Sequence, residues 1–453
     1  MAKKGIVGKI LFVKEKLFLR PELKKIVFSV SWLTADRILQ LVVSLLVGLW
    51  VARYLGPSDF GLMNFAIAFT SLFGPFVGLG VSSILVRELI NFPKKRNVLF
   101  GTTFWIQFIT GTISMALMCV FILILRPLDM LSFWVVFVFS LGYVISAFDL
   151  PSFWFESKIE SKTIVISRTG GLIVSNLLKI VFILLNFSLI FIVIASLFDT
   201  IVRISFIFYS YFKDKQSLFL WKFDFGLAKR LISSSWPLIF SGAMVIIYLR
   251  IDQVMLGFMM NDYEVGLYSV AVKISELFVF IPGLISVSVF PTLVRSKKIS
   301  AIIYHSRLQK VFDLMTWAPF LFMVPIFFFS DFIIYVLYGS EYLSAGFTLS
   351  IIVWSALAIS VKFILEKYLI NENKLKTLFF ISFFGAVTNI ILNLILIPLY
   401  GINGAALATV ISYTLPIYTS LLFFKSTRHV SFMLIKSFNI VRVFKEAKEY
   451  LFS

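Results

Sequence analysis

About twelve apolar stretches, each long enough to cross a bilayer, recur along this chain with short polar linkers between them. A transmembrane helix needs about 20 mostly apolar residues, so twelve need on the order of 250. The chain has 453 residues, 60% of them hydrophobic, and a mean hydropathy of +0.97. The spans read as 27–52, 61–86, 98–125, 131–154, 163–185, 188–211, 231–256, 265–293, 311–337, 346–366, 377–398 and 402–424. The sequence therefore predicts an all-α polytopic membrane protein whose work is done in or across lipid.

The net charge of +19 would suggest nucleic acid in a soluble protein, but its placement excludes that reading. Linkers after spans 1, 3, 5, 7, 9 and 11 hold only Arg53 and Arg126, and six further cations lie inside spans. All other Lys and Arg fall in the two termini and in or at the edges of the even-numbered linkers, with Arg168 at the edge of span 5. The positive-inside rule then puts both termini and every even-numbered linker in the cytoplasm, with the basic surface against anionic lipid headgroups, and the expected location is the cell (inner/cytoplasmic) membrane. Trp32, Trp105, Trp154 and Trp236 fall near the expected inner ends, and Trp50 and Trp134 near the outer ends, as an interfacial belt requires.

Cys119 is the only cysteine, so an intrachain disulfide is excluded. His305 and His429 are far apart in sequence, which argues against a histidine metal site. Ile6, Ile10, Val13 and Leu17 form an apolar stripe suited to a helix on the inner membrane face, and Phe432–Tyr450 reads similarly.

The basic linker 212–230 divides the chain into two six-helix bundles. The expected organisation is an interfacial segment 1–26, a bundle 27–211, the linker, a bundle 231–424 and a basic amphipathic tail 425–453. The halves echo one another. Gly61-Leu62-Met63 opens span 2 and Gly266-Leu267-Tyr268 opens span 8; Pro75 and Pro282 sit at mid-depth, and Arg87 and Arg295 follow. Six spans per half give both halves the same orientation, a parallel repeat of the kind transporters use. Prolines 75, 237, 282, 319, 325 and 416 lie within spans, where each removes a backbone donor and favours a kink.

Ionisable residues inside the spans give the sharper signal. Arg37, Lys179, Arg203, Arg250, Lys273 and Lys362 are the cations; Asp36, Asp149, Asp199, Asp252, Glu276, Asp313 and Glu366 are the acids. A charge at mid-bilayer costs about 2.5–3.5 kcal/mol, so these groups must pair or line a watery cavity. Helical spacing offers Asp199 with Arg203, Lys273 with Glu276, and Lys362 with Glu366. Each pair is either an internal clasp or part of a cavity wall. Arg37, Lys179 and Arg250 lack an acid three or four residues away and are the better candidates for holding an anion. Asp36, Asp252 and Glu276 are candidate coupling sites for H+ or Na+, with a counter-ion role as the alternative. No Gly-x4-Gly-Lys-[Ser/Thr] nucleotide loop is present, so a secondary transporter driven by an ion gradient or the membrane potential is expected, without cofactor or resident metal.

Tyr54-Leu55-Gly56-Pro57-Ser58-Asp59-Phe60-Gly61-Leu62-Met63-Asn64 resembles the polysaccharide (O-antigen-type) flippases of the MATE-like superfamily of multidrug, oligosaccharidyl-lipid and polysaccharide exporters. Arg250 through Gly257, Val265 through Tyr268 with Phe290-Pro291, and Tyr400 through Leu407 match in the expected order, so the resemblance covers about residues 27–425. It implies movement of an oligosaccharide on a polyprenyl pyrophosphate carrier from the inner to the outer leaflet by alternating access, with other polysaccharide-assembly proteins as partners. Arg37, Lys179, Arg203, Arg250 and Lys273 are then the candidate substrate-binding residues, in a central cavity between the halves. Related lipid II flippases carry two extra spans, for which this chain has no room. A multidrug antiporter would favour an acid-rich cavity, and a membrane glycosyl polymerase would need outer segments longer than the roughly ten residues available, so both are weaker alternatives.

Overall fold

A computed structural model describes residues 21–443 and 445, which hold no β-strand. The N-terminal stripe and the end of the tail lie outside these residues. The helices are α1 Pro21–Val77, α2 Val81–Asn91, α3 Arg96–Leu125, α4 Met130–Ser146, α5 Leu150–Ser157, α6 Ser161–Leu184, α7 Leu189–Lys213 and α8 Phe225–Met259. They continue with α9 Asp262–Ile299, α10 Ala301–Trp317, α11 Phe320–Phe328, α12 Ser330–Tyr338, α13 Ala345–Ile352, α14 Ser355–Asn371, α15 Leu375–Phe423 and α16 Arg428–Ser437. Among the described residues, ten helical segments are long and apolar enough to cross a membrane. The chain is a multi-pass membrane protein.

Two of the ten are double. The 57-residue α1 is two helices joined at Gly56 (φ 67°, ψ 173°), and the 49-residue α15 is two joined at Gly401 (φ 58°, ψ −135°). The expected linkers at these points shrink to one residue, and both sit in backbone space that only glycine enters without strain.

Other expected spans are broken. Span 2 ends at Val77, turns through Gly78-Leu79-Gly80, and resumes as α2. The Thr110 hydroxyl of α3 donates to the Val77 carbonyl left without a helical partner. Span 4 breaks at the 3-10 turn Ala147–Asp149, where Pro151 opens α5. The expected span 9 divides among α10, α11 and α12, first at Pro319 and again at Phe329, with Pro325 inside α11.

Small and polar residues join apolar ones in the buried contacts, while large apolar residues also face outward. Helix α3 buries Gln107, Gly111 and Ser114 and exposes Ile109, Ile113, Leu117 and Phe121. Lipid tails are as apolar as leucine, so helices associate through small and polar residues while large apolar side chains face outward.

The described chain packs as two compact units. One holds the residues up to Val51 and Phe73–Phe240; the other holds Ala52–Leu72 and the residues from Ser241 onward. In the first, Leu85, Leu89, Leu99, Phe100, Phe155 and Tyr211 form a core against which Trp221 and Leu227 pack. The stretch after α7 is fastened there. The Lys222 amide donates to the Asn97 carbonyl at 3.1 Å and the Asp224 amide to Thr102 Oγ1 at 3.0 Å. Gly101 leaves the room, since a Cβ there would overlap the Lys222 backbone.

In the second unit, α1 and α9 cross at reciprocal glycines. A Cβ on Gly61 would overlap the Asp262 carbonyl, and one on Gly266 would overlap the Pro57 carbonyl. Nearby, Arg53 donates to the carbonyls of Leu337 and Val336 at the end of α12, and the Tyr342 hydroxyl donates to the Ala52 carbonyl at 2.8 Å.

Helix α16 docks on α10. Val430 and Leu434 are buried, Gln309 Nε2 donates to Ser437 Oγ and the Met433 carbonyl, and Arg442 bridges Asp313 at 2.7 Å. This docking corrects the argument from sequence separation about the two histidines: His305 and His429 stand ring to ring, centroids 5.5 Å apart. His429 also meets the Tyr368 hydroxyl at 3.2 Å.

The glycine crossing predicts that Gly61→Val and Gly266→Val each destabilise the fold by about 1–3 kcal/mol or more through overpacking, read as a lower midpoint of thermal unfolding in detergent. The histidine pair predicts a pH effect. Burial, then Lys374 and His305, hold His429 below its usual value, and Glu372 only partly offsets them. The folded state therefore resists a proton that the unfolded chain accepts near pH 6.5, and stability present above that pH is lost below it. Hydrogen exchange in α16, corrected for intrinsic rates, should accelerate at pH 5.5 relative to 7.5, and His429→Gln should flatten the difference.

Candidate functional site

The most completely built polar cluster lies in the second unit around Asp252 of α8. Its carboxylate is buried and accepts hydrogen bonds from Tyr268 Oη of α9 at 2.9 Å, from Thr409 Oγ1 at 2.7 Å and from Asn393 Nδ2 of α15. Asn393 Nδ2 also donates to Asn389 Oδ1 at 3.1 Å, and Asn389 Nδ2 donates to Ser412 Oγ at 3.1 Å. None of these partners carries a positive charge, and Asn393 Oδ1 is buried without a partner. A buried carboxylate without a cation is costly. The surrounding set is oxygen-rich and hard: a carboxylate, two amide oxygens, a hydroxyl and a phenol. That set suits a proton or a small hard cation. Sequence reasoning found Asp252 but missed its partners. The signal was present, because Asn389 and Asn393 are four apart on an apolar span and so share a helix face.

The other second-unit candidates make contacts of their own. Arg250 reaches Glu276 of α9 at 3.8 Å, so the acid absent from its own helix comes from the next one. Lys273 Nζ stands 4.3 Å over the Phe60 ring, and Lys362 Nζ 4.3 Å over the Tyr248 ring. Aromatic faces hold cations at a cost lower than bare hydrocarbon does. The side chains of Arg250 and Glu276 remain 33% and 46% exposed, so neither is sealed.

In the first unit, Asp36 of α1 is buried and accepts from Gln40 Nε2 at 2.9 Å and from Thr169 Oγ1 of α6 at 3.2 Å. The neighbouring Arg37 is exposed. Arg203 of α7 does not close on Asp199, the acid four residues before it. It bridges Asp149 at 2.7 Å, at the break between α4 and α5. The break lets the chain bring that carboxylate to the α7 guanidinium. Asp149 Oδ1 and Arg203 Nε are buried without partners. Lys179 of α6 is half-buried, with Asp199 of α7 as the acid within charge reach. Gly171 permits the approach, since a Cβ there would overlap the Asp199 carbonyl.

The profile of a family described as "Polysaccharide biosynthesis protein" matches residues 50–346. The chain belongs to this polysaccharide biosynthesis family. Two curated relatives come from Haloferax volcanii. A probable flippase, AglR, is 35% identical over 181 residues, covering 37% of this chain and 36% of its own. A probable low-salt glycan biosynthesis flippase, Agl15, is 27% identical over 170 residues, covering 37% and 35%. The chain thus spans about a third of the length of each curated relative it matches. Two solved structures share the fold. The lipid II flippase MurJ in an inward closed conformation has a TM-score of 0.66 at 16% identity over 91% of both chains. An inward-facing multidrug resistance MATE family transporter of the MOP superfamily has a TM-score of 0.64 at 15% identity over 90% of this chain and 99% of its own. Within the polysaccharide biosynthesis family match fall Arg53, the reciprocal glycines and Asp252; Asn389, Asn393 and Thr409 lie beyond it.

The Arg203–Asp149 bridge predicts that Asp149→Ala costs about 1–3 kcal/mol by stranding a partly buried guanidinium. The double variant Asp149→Ala/Arg203→Met should recover part of that loss in thermal unfolding measured in the same detergent.

Proposed function

We propose that this protein flips an oligosaccharide carried on polyprenyl pyrophosphate from the inner to the outer leaflet of the cell membrane. The observation that carries this reading is the polysaccharide biosynthesis family match over residues 50–346, joined to relatives named as flippases. The reading takes α1 and α15 each as two crossings, for twelve in all, with both termini cytoplasmic as the placement of Lys and Arg supports. The two six-helix halves, 27–211 and 231–424, alternate access across the linker 212–230. No covalent chemistry is required of the chain, and other polysaccharide-assembly proteins supply and consume the carrier.

The cations Arg37, Lys179, Arg250 and Lys273 hold the diphosphate. Guanidinium forks bind phosphate oxygens bidentately, and lysines act as point charges. Arg203 is already engaged by Asp149 and serves the set through its unpartnered Nε. Glu276 restrains Arg250 at a long 3.8 Å, a contact loose enough to yield to a phosphate. Of the three coupling candidates, Asp252 is the best supported. Asp36 has two neutral donors and Glu276 has a cation, whereas Asp252 combines burial, neutral partners and an orphaned amide oxygen beside it. A proton or Na+ neutralises it there.

Arg37→Ala and Arg250→Ala should each reduce surface-glycan export about tenfold, the worth of one charge-assisted contact, with membrane protein level unchanged. The check is glycan display in cells lacking the native gene; normal export by both variants refutes the phosphate assignment. For coupling, NaCl in place of choline chloride, or mild acid, should raise the unfolding midpoint of the purified wild type, and Asp252→Asn should abolish whichever response is present.

A further inference from the structure

Helix α16 is apolar on two opposite faces. One face, with Val430, Leu434 and Ser437, is buried against α10. The other carries Phe432 (60% exposed) and Ile435 (53% exposed), and the chain just beyond the helix adds exposed Phe438 and Val441. A contiguous apolar face of this kind is unfavourable in water and marks an interaction surface. Its borders identify the partner. Lys425, Arg428 and Lys436 are exposed along it, and no Asp or Glu occurs between Asn373 and Lys445. An apolar face bordered by these cations suits a surface with a hydrocarbon interior and anionic headgroups.

We propose that α16 is an interfacial helix that seats its Phe432–Ile435 face in the anionic headgroup layer of the leaflet next to the inner ends of the spans, while its opposite face clamps α10. The side of the membrane rests on the orientation proposed above; the contact itself does not require the transport reading. The clamp on α10 is built from directed bonds. Trp317 Nε1 donates to the Ser437 carbonyl at 2.8 Å, and Gln309 and Asp313 hold Ser437 and Arg442. The helix is therefore held rigidly at one level, and its depth is set by the bundle. The aromatic and aliphatic side chains supply the insertion, and the lysines supply a preference for anionic lipid. Each basic residue near such a surface contributes about a fivefold preference.

The test uses the full chain with Cys119→Ser and an environment-sensitive fluorophore on Phe432→Cys, or on Ile435→Cys should the first variant misfold. The protein is reconstituted in vesicles of phosphatidylcholine with increasing phosphatidylglycerol. Quenching by brominated lipid should exceed quenching by aqueous iodide, and the ratio should rise with phosphatidylglycerol. Lys425→Glu and Lys436→Glu should each weaken that rise about fivefold or more. Dominant iodide quenching at every composition would overturn the proposal. So would quenching by neither agent together with a signal that depends on the protein-to-lipid ratio, since that outcome assigns the face to a second copy of the chain. Export of glycan is measured separately, so loss of the transport reading leaves this result standing.

Discussion

A backbone or charged group freed inside hydrocarbon has no water to turn to, and most of this structure answers that one constraint. Helices hide their own backbone, so every interruption needs a local remedy. Where α1 stops at Val77, the Thr110 hydroxyl takes the freed carbonyl. Where α4 gives way to α5, Pro151 has no donor to lose, and the turn places Asp149 where α7 offers Arg203. At the end of α12, Arg53 satisfies two terminal carbonyls with one side chain and sets a positive charge on the negative end of the helix. At the α4–α5 break, the turn and the intramembrane ion pair occur together, the one placing the other.

The same constraint explains what the helices bury. With no hydrophobic drive between them in lipid, close approach and polar contact decide packing. Gly61 and Gly266 let two backbones touch, and the contacts are reciprocal: Gly266 stands to Pro57 as Gly61 stands to Asp262. The echo between spans 2 and 8 thus corresponds to a shared crossing geometry within the second unit. The Asp252 cluster follows from the same logic carried further, with one carboxylate collecting three donors from α9 and from both arms of α15.

Much of this was legible in the sequence, and the boundary of legibility is physical. Apolar length located the helices, and the cost of charge in lipid singled out Arg37, Lys179, Arg203, Arg250 and Asp252 without any view of the fold. Partners were not legible, because periodicity reports only which residues share a face of one helix. Arg203 lies four residues from Asp199 yet closes on Asp149, fifty-four positions away. Arg250 was read as lacking an acid because Glu276 belongs to another helix. Helix breaks were blurred for a related reason. Gly78 and Gly80 beside Pro75, and Asp149 beside Pro151, are turn signals at these places, but the apolar residues on either side are numerous enough for the run to read as one span.

The stretch between the two bundles shows how far charge patterning can be followed. Residues 212–230 read as the basic linker that divides two six-helix bundles. The structure instead fixes them to the first unit by the Lys222 and Asp224 amides, by Trp221 against Phe100 with ring centroids 5.4 Å apart, and by the room left at Gly101. The chain passes from one unit to the other at residues 51–52, 72–73 and 240–241, all inside helices. Two of these passages lie within three residues of Pro75 and Pro237, where the missing amide has already released a helical carbonyl. A helix weakened at a proline bends at lower cost than one with every bond in place. Helices α1 and α8 therefore carry proline-weakened turns close to where the chain leaves one unit for the other.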